Sequence, residues 1–204
     1  MRARPTIFRG FASVVLAFAF MAIWFVSDAP SQENNPLVLG KQALDANQVD
    51  EAIALFEKAV AADPKNPEAL ARLGSAQVRK ARIVNIFSAP GWVSKGFTTL
   101  DQAVEQFPSA FIVYVVRGIT ATNVPEMFRK ADVAVKDLSE VVAMREKSPD
   151  AVPENVMPSV YLNLGRAFKK TGQPAEARAA LEKGKKLYPS APEMSAIEKE
   201  LREL

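Results

Sequence analysis

The chain has 204 residues, and none of them is cysteine or histidine. That removes thiolate nucleophiles, disulfides, c-type haem attachment, Ser-His-Asp triads and zinc sites built on Cys or His. The carboxylates that remain are scattered, and no Asp or Glu pair has a distinctive spacing. Neighbours such as Glu182, Lys183 and Lys186 read as solvated helix faces. No glycine-rich loop of the kind that cradles phosphate occurs. The expectation is therefore a protein without catalysis, cofactor or metal.

One segment carries a pattern suited to binding. Residues 69–100 contain no Asp or Glu but do contain Arg72, Arg79, Lys80, Arg82 and Lys95. Interleaved with these are Ile83, Val84, Ile86, Phe87, Trp92, Val93 and Phe97. Cations mixed with large apolar side chains suit a membrane surface. Arg79, Lys80, Arg82, Phe87, Trp92 and Lys95 are accordingly candidate contacts with a membrane or a partner. The competing reading is that Phe87 and Trp92 pack inward, as large apolar residues mostly do. A formal net charge of +3 is too mild to argue for nucleic acid, and none is expected as a partner.

These residues need elements to position them, and the chain divides in a legible way. Arg2, Arg4 and Arg9 precede an uncharged apolar run from Gly10 to Val26. At ~1.5 Å per residue that run makes a helix of roughly 25 Å, the short end of a membrane span. It is longer than the usual apolar region of a signal peptide, and the best small-x-small site, Ser27-Asp28-Ala29, is followed by Pro30. Residues 1–30 thus read as an uncleaved anchor, spanning about 10–26, in preference to a cleaved signal peptide. The arginines would keep the N-terminus cytoplasmic and place the rest of the chain on the periplasmic or other extracytoplasmic side. If the segment were cleaved, the product would be secreted to the periplasm. Residues 31–35 read as a polar linker.

From residue 36 the chain repeats itself. LGKQALDANQVDEAIALFEKAVAADP at 39–64 parallels LGRAFKKTGQPAEARAALEKGKKLYP at 164–189. Gly40, Gly74, Gly118 and Gly165 recur at separations of 34, 44 and 47 residues, so two units carry insertions. Val49, Ala52, Ile53, Phe56, Ala59 and Val60 fall on one face of a helix, and Ala177, Ala180, Leu181, Gly184, Leu187 and Tyr188 repeat that face. Asn47 and Gly172 sit between the two helices of their units, where a left-handed residue ends a helix. Residues 192–204 form one more amphipathic helix, suited to capping the array.

A 34-residue unit of two helices resembles the tetratricopeptide repeat (TPR) family. The resemblance covers about residues 34–189 and is weakest in the third unit, where Arg117-Gly118 replaces the Leu-Gly pair and Glu146 stands at the place of the closing proline. It implies an all-α, TPR-type solenoid of helix hairpins behind the N-terminal transmembrane or signal helix. About four repeats would occupy 36–189, with insertions near 80–95 and 146–158. In such a solenoid the first helices line a concave groove. The lining positions implied here are Leu37, Lys41, Leu44, Ala71, Ser75, Val78, Val115, Ile119, Thr122, Leu162, Arg166 and Lys169. Some family members clamp a C-terminal carboxylate through an Asn at one of these places. This chain has Lys41, Ser75, Ile119 and Arg166 there, so that activity is not expected.

The resulting expectation is a non-enzymatic scaffold or adaptor. It would be tethered through residues 10–26 and would dock a protein or peptide, amphipathic or acidic, in the groove. The alternative is a cleaved periplasmic binding or carrier component of a transport or envelope-assembly system.

Overall fold

The computed structural model describes residues 34–204. The anchor or signal segment at 1–30, with its span at 10–26, lies outside the described residues, as does most of the linker. No helix among the described residues is long and apolar enough to cross a membrane.

Regular structure among the described residues is helical. In order it runs α1 (Pro36–Asp45), α2 (Val49–Ala62), α3 (Pro67–Lys80), α4 (Ala89–Gln106), α5 (Phe111–Asn123), α6 (Ala131–Lys147), α7 (Met157–Lys170), α8 (Pro174–Leu187) and α9 (Met194–Arg202). The boundaries have local causes. The Asn35 side chain accepts a hydrogen bond from the Leu37 N–H at 2.9 Å, and Asn66 accepts from Ala69 at 3.1 Å, so each satisfies a donor that the helix leaves unpaired. Pro36, Pro67 and Pro174 open their helices, where a missing N–H costs nothing. Asn47, at φ 60°, and Gly172, at φ 72°, adopt the left-handed backbone that ends α1 and α7.

The helices pack as successive antiparallel pairs, α1 on α2, α3 on α4, α5 on α6 and α7 on α8, with α9 against the last pair. Each recurring glycine marks the close approach within its pair. A Cβ on Gly74 would lie 2.8 Å from the Gly96 carbonyl oxygen, and one on Gly165 would lie 2.5 Å from Leu181 Cγ. The paired helices approach this closely because glycine leaves the room.

Insertions sit in connectors and, in the second pair, also lengthen α4 to 18 residues against 14 in α2 and α8. Residues 81–88 join α3 to α4, where the first and fourth pairs use three-residue turns. Residues 124–130 join α5 to α6 and include a 3-10 turn at Glu126–Phe128. Residues 148–156 join α6 to α7 through two 3-10 turns, Pro149–Ala151 and Glu154–Val156. Val152 anchors this last connector in the core with no exposed surface, and the Arg145 guanidinium donates to the carbonyls of Pro149 and Val152.

The antiparallel pairing gives the molecule two different ends. Connectors from first to second helix gather at one end: Arg79 donates to Asn47 Oδ1 at 3.2 Å, and Lys170 Nζ donates to the Thr122 and Val124 carbonyls. Those connectors carry Arg82, Arg129 and Lys130 against Glu126 alone. Connectors between pairs lie at the other end and carry Asp63, Asp150, Glu154 and Glu193 against Lys65 alone.

Candidate functional site

The groove expected from the sequence is a row of first helices, and polar contacts stitch that row together. Thr120 Oγ1 donates to Ser75 Oγ at 2.9 Å, joining α5 to α3. Lys41 Nζ reaches Glu68 at 3.4 Å, joining α1 to α3. Arg166 Nε meets Glu200 at 2.8 Å, and Lys169 Nζ meets Glu200 at 3.3 Å and Glu203 at 3.2 Å, joining α7 to α9. Arg166 and Glu200 are 34 positions apart, and so are Lys169 and Glu203. The last helix therefore stands where the first helix of a fifth repeat would stand.

The lining positions divide into two groups. Leu37, Lys41, Ser75, Ile119, Arg166 and Lys169 are half-buried and face accessible space. Leu44, Val78, Val115 and Leu162 are buried, as are Ala71 and Thr122, and the aliphatic ones belong to the cores between neighbouring helices. Their spacing put them in the row, but the next pair of helices covers them. The surface open to a partner is thus narrower and more polar than the full row. At its α9 end lies an open cleft of about 440 Å³ lined by Thr122, Asn123, Arg166, Lys169, Lys170 and Glu203.

Electrostatics alter what this surface can take. The cations Lys41, Arg166 and Lys169 already face carboxylates from their own chain. Burial works against the Glu200 carboxylate, but hydrogen bonds and charge from Arg166 and Lys169 outweigh it and hold its pKa below the ordinary value. The surface is therefore a set of exchangeable ion pairs around Leu37 and Ile119 rather than a bare basic groove.

The acid-free segment also divides. Trp92 is half-buried against the α1–α3 core, with Lys95 Nζ 5.1 Å from its ring centroid. Lys80 is paired with Asp50 at 2.5 Å. Phe87, by contrast, is 93% exposed, Ile86 79% and Ile83 50%. Inward packing holds for Trp92, Val93 and Phe97 and fails for Phe87. Sequence reasoning marked the segment but could not separate its two halves, because Phe87 and Trp92 are equally apolar. The signal that separates them is position: Val93 and Phe97 continue the α4 face that holds Leu100 and Ala103, whereas Ile83, Ile86 and Phe87 precede the helix.

Among the described residues there is no group of His, Cys, Asp or Glu able to hold a metal ion.

Tetratricopeptide-repeat models match residues 43–83 and 158–190. Among curated proteins, Cellulose synthase operon protein C of Pseudomonas fluorescens (strain SBW25) is 28% identical over 166 residues. The match takes in 80% of this chain but only 12% of that protein's length. Among solved structures, a mutant of MamA is similar with a TM-score of 0.53, 23% identity and 81% of each chain covered. A thermophilic TPR protein of Thermus thermophilus is similar with a TM-score of 0.50, 20% identity, and 83% of this chain and 98% of that one covered. Residues 43–83 and 158–190 thus match tetratricopeptide repeats, and the chain shares an all-helical solenoid fold with these solved structures. Such repeats generally serve as protein-interaction scaffolds.

Proposed function

We propose that this protein is a non-enzymatic scaffold that docks an amphipathic peptide or helix along its first-helix row. The tether is residues 10–26, the N-terminus is cytoplasmic and the repeats lie on the extracytoplasmic side. The observation that carries the docking reading is the open row from Leu37 and Lys41 through Ser75 and Ile119 to Arg166 and Lys169. An apolar partner face would meet Leu37 and Ile119. Its charged groups would exchange with the ion pairs of Lys41 and Arg166. Exchange at Lys41 is cheap, since a partly exposed ion pair contributes only about 0–1 kcal/mol. Tethering would raise the local concentration of the docking surface beside membrane partners.

The test uses the full chain in native membranes, with a photo-crosslinking side chain at Ser75 or Ile119 and a control at Glu140 on the exposed side of α6. The expected result is a stoichiometric protein adduct from the two row positions and none from Glu140. A bound lipid or small molecule with no protein adduct would replace the scaffold reading with the carrier one. The tether is tested separately by the mass of the mature chain, since loss of residues 1–29 defeats it.

A further inference from the structure

The connector between α3 and α4 exposes Ile83, Ile86 and Phe87 together, within eight residues at one end of the molecule. Soluble surfaces tolerate single exposed apolar side chains, but a cluster of large ones marks a contact. Around it stand Arg79, Arg82 and Lys95. None of these has a carboxylate within ion-pair distance among the described residues: Arg79 meets the neutral Asn47 side chain, and Lys95 lies over Trp92. No acidic residue occurs between Glu68 and Asp101. The groove cations hold carboxylates, whereas these do not.

We infer that this connector seats in an anionic bilayer, with Ile83, Ile86 and Phe87 entering the headgroup region and Arg79, Arg82 and Lys95 meeting lipid phosphates. Charge complementarity selects this occupant. A protein groove would take the apolar cluster, whereas Arg79, Arg82 and Lys95, left without a carboxylate although Asp50 stands on Lys80 at the same end, call for an anionic counter-surface. A basic side chain near an anionic leaflet gains roughly fivefold in partitioning, so three unpaired cations add a substantial bias. Length permits the pose, which in this respect rests on the tethering reading. The apolar run ends at Val26, eight residues before Asn34, and eight extended residues span at most about 29 Å. Helix α1, of ten residues and ~15 Å long, separates its own start from the end where the connector lies. A chain leaving the bilayer at Val26 therefore reaches Pro36 while residues 83–87 touch the same leaflet. The helix axes then run from the bilayer outward, and the first-helix row lies alongside it.

The absence of cysteine makes the test clean. Ile86→Cys, at a largely exposed position, takes an environment-sensitive NBD label in the full chain, reconstituted into vesicles of phosphatidylcholine alone or with phosphatidylglycerol. Nitroxide-labelled lipids report depth. The expected result is a blue shift and nitroxide quenching at position 86 in the anionic vesicles, both reduced by Arg79→Glu, Arg82→Glu and Lys95→Glu together. A label at Ser109→Cys, in the exposed connector at the opposite end, stays water-like throughout. A label at 86 that is water-exposed in both vesicles overturns the inference. So does one shielded from water but unquenched by lipid nitroxides, which would mean a protein occupant or a second copy. Carbonate extraction of the same vesicles reads the tether alone. A chain that washes off yet is quenched at 86 when anionic vesicles are added back loses its anchor but keeps this contact.

Discussion

At the scale of single residues, the sharpest constraints are the glycines between paired helices. A Cβ on Gly96 would lie 2.6 Å from the Gly74 carbonyl oxygen and 2.7 Å from the Val78 nitrogen, both backbone atoms that cannot swing aside. Gly96→Ala must push α3 and α4 apart, and overpacking of this kind costs about 1–3 kcal/mol. Gly91→Ala, on the same helix with nothing within 4 Å, should be neutral or stabilising. Urea denaturation of both variants measures the difference, and equal stabilities would defeat the account. The marker glycines could be read in the sequence from their recurrence. Gly96 could be read only as a repeat position, and its backbone-to-backbone contact needed the structure. The departure at Arg117 is resolved in the same way. Its guanidinium holds Asp137 through two hydrogen bonds of 2.7 and 2.8 Å and meets Asp101 at 2.8 Å. Asp137 is fully buried, although along the chain it looks like any helix-surface acid, because its partner lies 20 positions away. Arg117→Met strands that carboxylate and should cost about 3–5 kcal/mol, whereas adding Asp137→Leu should restore much of it. A double variant as weak as the single one in the same denaturation assay would contradict this.

Among elements, α9 depends most on its neighbours. A nine-residue helix does not persist alone in water. It is held by Ile197, fully buried against Leu162 and Leu181, and by Glu200 and Glu203 on Arg166 and Lys169. Because the folded pKa of Glu200 lies below its ordinary value, the stabilisation from its ion pairs is complete above that value. It is lost as pH falls through the depressed folded value. Amide exchange in α9 should therefore accelerate below the ordinary glutamate range, with the Glu200→Gln variant already fast at neutral pH and insensitive to the change. The turn before α8 makes a second point. Gly172 at φ 72° has open space around it, so Gly172→Ala should lose about 1 kcal/mol in urea denaturation through backbone strain alone. Helices and short turns were legible from periodicity, because each carries its own signal. The 148–156 connector was not: its path depends on Val152 entering a core and on Arg145 binding carbonyls, and both are tertiary facts.

For the whole molecule, the pairwise stacking of helices predicts how stability is distributed. Interior pairs are braced on both sides and terminal ones on one, so the array behaves as units coupled to their neighbours. Amides of α1 and α9 should exchange fastest and those of α3 to α6 slowest, and a uniform profile would contradict this. The same stacking limited what could be read about the groove. Helical spacing identifies a face, but whether the next pair covers it depends on the curvature of the array, so Val115 is hidden and Ile119 is not. One consequence follows from the unequal ends. Cations prevail at one and carboxylates at the other, while the antiparallel helices largely cancel one another's dipoles. Among the described residues, the connectors therefore carry a charge separation along the helix axes. Near a negatively charged surface the molecule experiences a torque before any contact forms. Turned by that torque, it arrives with the Arg82 and Phe87 end leading. Ionic strength governs how far away the turning begins, about 8 Å at physiological salt and about 30 Å in dilute buffer.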